Sequence, residues 1–118
     1  MFDFEKFPVY LKSETQYAKM LKVINNSKID INLKDQLKRA SLSIVLNIAE
    51  GAGKYSKNDK KNFYVISKGS VNECVAILRI LKIESNITED LFQSIYVDLE
   101  EIAKMLSALI STMIERKS

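Results

Sequence analysis

The chain has 118 residues, 47% of them hydrophobic and 28% charged, with a formal charge of +3. That suits one soluble globular domain built on a single core. Three Gly and one Pro are too few for the many tight turns of an all-β sandwich. His is absent and Cys74 stands alone, which excludes His-assisted nucleophiles, His-ligated metals, disulfides within the chain and Cys-cluster metal sites.

The first helix is expected from Pro8 to about Asn25. Pro is tolerated in a first turn, and Tyr10, Tyr17 and Ile24 recur every seven residues, with Ala18 and Leu21 widening that stripe. Asn25, Asn26 and Ser27 end it. The second helix is expected over 32–52. Leu33, Leu37, Ala40, Ile44 and Ile48 make one apolar face, and Leu42, Val45 and Ala49 a second. Ser56 reads as the N-cap of a third helix over 57–83, with Asp59 as the capping-box acid. Its expected core face is Phe63, Ile66, Ser70, Cys74, Ile77 and Leu81. Gly69, interior to that helix, suggests a close backbone approach. Thr88 reads as the N-cap of a fourth helix over 89–116. Leu91, Ile95, Leu99, Ile102, Leu106, Leu109 and Met113 form its face, and Tyr96, Ala103 and Ile110 a second stripe. Arg116 and Lys117 suit its negative C-terminal end.

Four amphipathic helices with short loops predict an all-α, antiparallel up-and-down four-helix bundle, one domain over 1–118. The surplus apolar surface on the second and fourth helices predicts association of subunits. Met1–Tyr10 carries Asp3 and Glu5 and lacks the basic start and apolar stretch of a signal peptide. No apolar run approaches the ~20 residues of a membrane span, so a cytoplasmic protein with no membrane contact is expected.

Charge is uneven. Residues 1–30 sum to +1, residues 31–72 to +5 and residues 73–118 to −3. The basic middle makes Lys34, Lys38, Lys54, Lys57, Lys60 and Lys61 the candidate contacts to a polyanion, RNA or DNA, with Tyr55 and Phe63 close to the last four. No helix-turn-helix, zinc-finger or RNP signature accompanies them, so base-specific readout is not expected. Within the second helix, Arg39, Ser43, Asn47 and Glu50 share one side. A turn centred near Lys54 sets Arg39 opposite Ser70, with Glu73 one helical turn further on. This predicts an Arg39–Glu73 ion pair in a structural polar network. The same register separates Glu50 from Glu73 by several turns, too far for a catalytic carboxylate pair. Cys74 reads as a buried, inert thiol. Gly51 and Gly53 read as helix-terminating residues and not as a phosphate loop, since no strand precedes them and Tyr55 follows Lys54. No cofactor motif is present, and the protein is expected not to be an enzyme.

The run Asp35-Gln36-Leu37-Lys38-Arg39-Ala40, then Asn47-Ile48-Ala49-Glu50-Gly51, then Gly69-Ser70 and Glu73, resembles the four-helix-bundle family also called the 23S rRNA intervening-sequence proteins. The likeness covers about residues 33–115. It extends to the accessory variability proteins of diversity-generating retroelements. It implies a ring-shaped homopentamer and partners that include nucleic acid and a reverse transcriptase. Gln36, Arg39, Asn47, Glu50, Gly51, Gly69, Ser70 and Glu73 match the family pattern, as positions that shape bundle and ring and not as an active site. Family likeness alone assigns no activity.

Overall fold

Pro8 opens α1 (Pro8–Ile24) in a computed structural model that describes residues 1–114; a short 3-10 turn, Asp3–Lys6, precedes it. Three further helices follow: α2 (Ile31–Ala52), α3 (Lys57–Ile83) and α4 (Glu89–Thr112). No strand occurs among the described residues. α4 stops at Thr112 with Met113 as its C-cap, short of the expected end at 116; Arg116 and Lys117 lie outside the described residues.

Side chains cap three of the four helices. Asp30 accepts from the backbone N–H of Asn32 (3.0 Å) and Leu33 (3.2 Å), so α2 starts one residue ahead of the sequence-based boundary. Ser56 Oγ accepts from Asp59 N at 3.0 Å, and Thr88 Oγ1 from Leu91 N at 3.3 Å. Each cap satisfies a donor that the helix itself leaves unpaired, for about 1 kcal/mol. At the end of α3 the backbone turns through Ser85, whose φ is +58°. There Asn86 N reaches Leu81 O (2.9 Å) and Ser85 N reaches Lys82 O (3.1 Å), the paired bonds of a Schellman stop.

The helices touch in a closed cycle, α1 on α2, α2 on α3, α3 on α4 and α4 on α1. Between them lies one core in which Met20, Leu37, Ile44, Leu78, Ile95 and Leu99, among others, are fully buried. Each such side chain contributes roughly 1.5–3 kcal/mol relative to exposure. As α3 advances from Ser67 to Ser70, its partner on α2 falls back from Ile44 to Ser43. The molecule is elongated, 53 × 31 × 23 Å.

Two core faces differ from the periodicity reading. On α1 the buried residues are Val9, Ser13, Gln16, Met20 and Val23, whereas Tyr10, Tyr17 and Ile24 are only half-buried and Ala18 and Leu21 are exposed. Polar residues occupy the true face through bonds to backbone carbonyls: Ser13 Oγ donates to Tyr10 O (2.6 Å) and Gln16 Nε2 to Ser41 O (3.0 Å), while Gln16 Oε1 is buried without a partner among the described residues. On α3 the first half of the face is Tyr64, Ser67 and Val71, not Phe63, Ile66 and Ser70. Ser67 is tolerated because its hydroxyl donates to Ile44 O at 2.9 Å.

The glycines also exchange roles. A Cβ on Gly69 would meet nothing within 4 Å, so no backbone approaches there. Gly51 is the close approach: a Cβ would lie 2.9 Å from Tyr64 Cε1 and 3.0 Å from Phe63 Cβ. Gly53 is the C-cap of α2 with φ −84°, an ordinary helical value.

Candidate nucleic-acid interface

The six candidate lysines fall into two groups at opposite ends of α2. Lys34 and Lys38 lie in its first turns, and Lys54 just beyond its end, roughly 30 Å from Lys34 at 1.5 Å per residue. Lys57, Lys60 and Lys61 occupy the first turns of α3, so the α2–α3 turn gathers four of the six.

Two of those four are engaged within the turn. Lys54 Nζ lies 3.4 Å from Glu50 Oε1 and 5.2 Å from the centre of the Phe63 ring. Lys60 Nζ donates to Ala52 O at 2.9 Å, closing off a carbonyl at the end of α2. Lys57 and Lys61 have no carboxylate within 4 Å among the described residues. Tyr55, between the two helices, is fully exposed, whereas Phe63 is half-covered. The N-terminal 3-10 turn packs on α1 and α2 and carries Asp3 and Glu5, so the basic character belongs to the α3 side of this end.

The predicted polar network assembles only in part. Asn47 Nδ2 donates to Ser43 O (2.8 Å) and Ser43 Oγ (2.9 Å), and Ser70 Oγ bonds to Ser43 Oγ (2.8 Å). Arg39, Gln36 and Glu73 are exposed, and the Arg39–Glu73 ion pair is not formed. The α2–α3 pairing centres nearer Ser56 than Lys54, about one helical turn from the expected register, and in this register the Ser67 and Ser70 hydroxyls both find partners on α2. Ser70 therefore meets Ser43 where Arg39 was expected. Glu50 faces outward and pairs with Lys54.

The ion pairs of the bundle lie elsewhere. Asp98, 4% exposed, receives Lys12 at 3.1 Å and Lys19 at 2.7 Å, and Lys12 also reaches Glu101 at 2.8 Å. Glu101, and after it Asp98, hold the Lys12 ammonium above its ordinary pKa. The sequence carried a signal for this clip. Asp98 sits three residues after Ile95 and four before Ile102, inside the apolar stripe of α4, and Lys12 and Lys19 are seven apart on α1.

Nothing at these positions forms a reactive constellation. Burial, with the Glu73 charge adding, pushes the Cys74 thiol up to about 12, leaving it protonated and unreactive near neutral pH. No three Cys, Asp or Glu side chains converge to hold a metal ion among the described residues. No described helix is long and apolar enough to cross a membrane.

The chain matches the family described as 23S rRNA-intervening sequence protein over residues 5–108. A solved structure is similar at a TM-score of 0.81 and 28% identity, over 86% of this chain and 97% of that one. It is described as a protein with unknown function from the S23 ribosomal protein family of Bacteroides thetaiotaomicron. No curated protein matches the chain.

Proposed function

This chain belongs to the 23S rRNA-intervening sequence protein family, and from that premise we propose that it is a non-enzymatic, cytoplasmic accessory protein that binds nucleic acid. The protomer is an antiparallel up-and-down bundle that assembles into a ring-shaped homopentamer. The ring offers the basic α2–α3 end to RNA, DNA or a ribonucleoprotein.

The observation that carries this reading is the turn itself. Lys54, Lys57, Lys60 and Lys61 lie within eight residues at one end of an elongated molecule, and three of them, Lys57, Lys60 and Lys61, have no carboxylate partner among the described residues. The family's name ties it to a segment of 23S rRNA, and a nucleic-acid backbone is the polyanion such a patch suits. One protomer provides only a weak patch. Five copies in a ring convert it into a multivalent surface, in which each further contact is intramolecular. Apolar side chains left on the outside support self-association: Leu46, Val65 and Ile66 are each about half exposed.

Filter binding to RNA and DNA at 50 and 200 mM salt tests the reading. Affinity is expected to fall steeply between the two, with a log–log slope of about 0.9 per phosphate neutralised on duplex DNA. Negligible retention at both salts discards it. Native mass measurement tests the ring, and a lone protomer at micromolar concentration discards that part.

A second reading, a protein-docking ring that binds no nucleic acid, is favoured by one feature. A shallow apolar trough of Phe7, Pro8, Val9, Met105, Ala108 and Leu109 runs between the start of α1 and the end of α4. A reverse transcriptase or another protein recovered from the host after nuclease treatment would select this reading. Recovery abolished by nuclease would select the first.

A further inference from the structure

We propose that Tyr55 stacks on an unpaired nucleobase, so that the α2–α3 turn selects single-stranded nucleic acid over duplex; this rests on the polyanion reading above. The ring of Tyr55 is 102% exposed, as open as in an extended peptide. The chain has four other tyrosines, and each is at least partly covered. Tyr10 donates to Glu14 and packs edge-on against Phe4; Tyr64 is buried against Gly51. Tyr96 stacks on Phe92, and Tyr17 is half-buried. Tyr55 packs on no ring and makes no side-chain hydrogen bond among the described residues.

The backbone on both sides of Tyr55 is pinned. Gly53 N reaches Ala49 O (3.3 Å) and Glu50 O (3.2 Å), and Lys54 N reaches Gly51 O (3.2 Å). On the far side Ser56 Oγ holds Asp59 N, and Ser56 O holds Lys60 N at 3.1 Å. Lys60 then ties α3 back to α2 through Ala52 O. An aromatic ring on a turn already ordered loses little further freedom on binding.

The surroundings name the ligand. Lys54 precedes the ring and Lys57 follows two residues later. Lys57 and Lys61 are four apart, neighbours on one helix face about 5–6 Å apart between Cβ atoms. A lone exposed aromatic is ordinary, but one set among ammonium groups is poorly suited to an apolar partner surface. It suits a ligand that alternates flat π-faces with anionic links. In a duplex the base faces are already covered by their neighbours. In a single strand they are open, and RNA and DNA share that chemistry.

The test uses the full chain with labelled single-stranded oligonucleotides, RNA and DNA of one sequence, and the corresponding duplexes. Wild type is expected to prefer the single strands. Tyr55→Ala should weaken single-strand binding roughly 5- to 100-fold, leave duplex binding and the salt slope unchanged, and be rescued by Tyr55→Phe. Lys57→Ala with Lys61→Ala should instead lower the single-strand salt slope by about 0.7 for each phosphate no longer neutralised. The chain has no Trp, so Tyr55→Trp places a single reporter at the site, and single strands should quench its fluorescence more than duplex. Unchanged single-strand affinity in Tyr55→Ala, beside weakened binding in the lysine variant, overturns the stacking and leaves the polyanion reading standing. Failure of wild type to bind either form overturns both. A changed native mass in Tyr55→Ala assigns the ring to a subunit interface and overturns the stacking.

Discussion

The seam between α1 and α4 and the seam between α2 and α3 carry their polar groups differently. At α1–α4 a buried carboxylate, Asp98, is gripped by two lysines whose side chains remain about one-third exposed. At α2–α3 the polar groups are neutral: Ser43, Asn47 and Ser70 bond to one another, and Ser67 bonds to Ile44 O. A buried charge demands a counter-charge, and long lysines supply one while their ammonium groups keep some water. Hydroxyls and amides need only a nearby carbonyl or a second hydroxyl, so they fit closely packed helices. The ionic seam thus responds to the loss of a charge, and the neutral one to a loss of fit.

The largest expected effect is alkaline. Cys74, with a pKa pushed up to about 12, and Tyr64, raised by burial, hold their protons in the fold. Tyr10, raised chiefly by its bond to Glu14, and Lys12, raised by Glu101 and Asp98, do the same. Above about pH 9 the unfolded chain gives up protons that the folded chain retains, so stability falls with rising pH. Thermal melts should be flat from neutrality to about pH 9 and drop through pH 12. A flat profile to pH 12 would contradict the burial of Cys74 and Tyr64.

Next in size is Asp98→Ala. It empties a buried site, leaves Lys19 without a carboxylate partner and leaves Lys12 with Glu101 alone. The expected loss is about 2–3 kcal/mol, below the ~3–5 kcal/mol of a fully buried pair because both ammonium groups reach water. Asp98→Leu should recover most of that, since an apolar side chain can replace a buried ion. Denaturant melts measure both, and equal losses would show that the charge and not the packing holds this seam.

On the neutral side, Gly51→Ala forces a methyl against Tyr64 and Phe63, for a loss of about 1–3 kcal/mol. Ser70→Ala removes one hydroxyl bond but leaves Asn47 bonded to Ser43, for about 0.5–1.5 kcal/mol. Gly69→Ala is the smallest and opposite in sign. With open space around it, the variant should gain about 0.4–1 kcal/mol, which a rise in melting temperature would register.

The apolar residues of α2 and α4 read directly from their spacing. Leu37, Ala40, Ile44 and Ile48, and likewise Ile95, Leu99, Ile102 and Leu106, are strongly periodic and buried. The faces of α1 and α3 were harder because Ser13, Gln16 and Ser67 occupy core positions. Their polarity argues for the surface until the partner carbonyls, which for Gln16 and for Ser67 lie on the neighbouring helix, are known. The candidate lysines were visible by type, but which of them stay unpaired was not. That depended on Ala52 O reaching Lys60 and on Glu50 turning toward Lys54.

By itself, the order of residues determined four amphipathic helices, the caps at Ser56 and Thr88, and a basic middle segment. These are local properties, set by side-chain spacing and by bonds within a few residues. Tertiary structure alone decided that Ser70 meets Ser43 while Arg39 stays outside, that Asp98 is clamped by α1, and that Gly51 and not Gly69 is tightly packed. Each depends on how far one helix slides along another. A turn of a few residues sets that slide, and a displacement of one helical turn exchanges every partner across the seam.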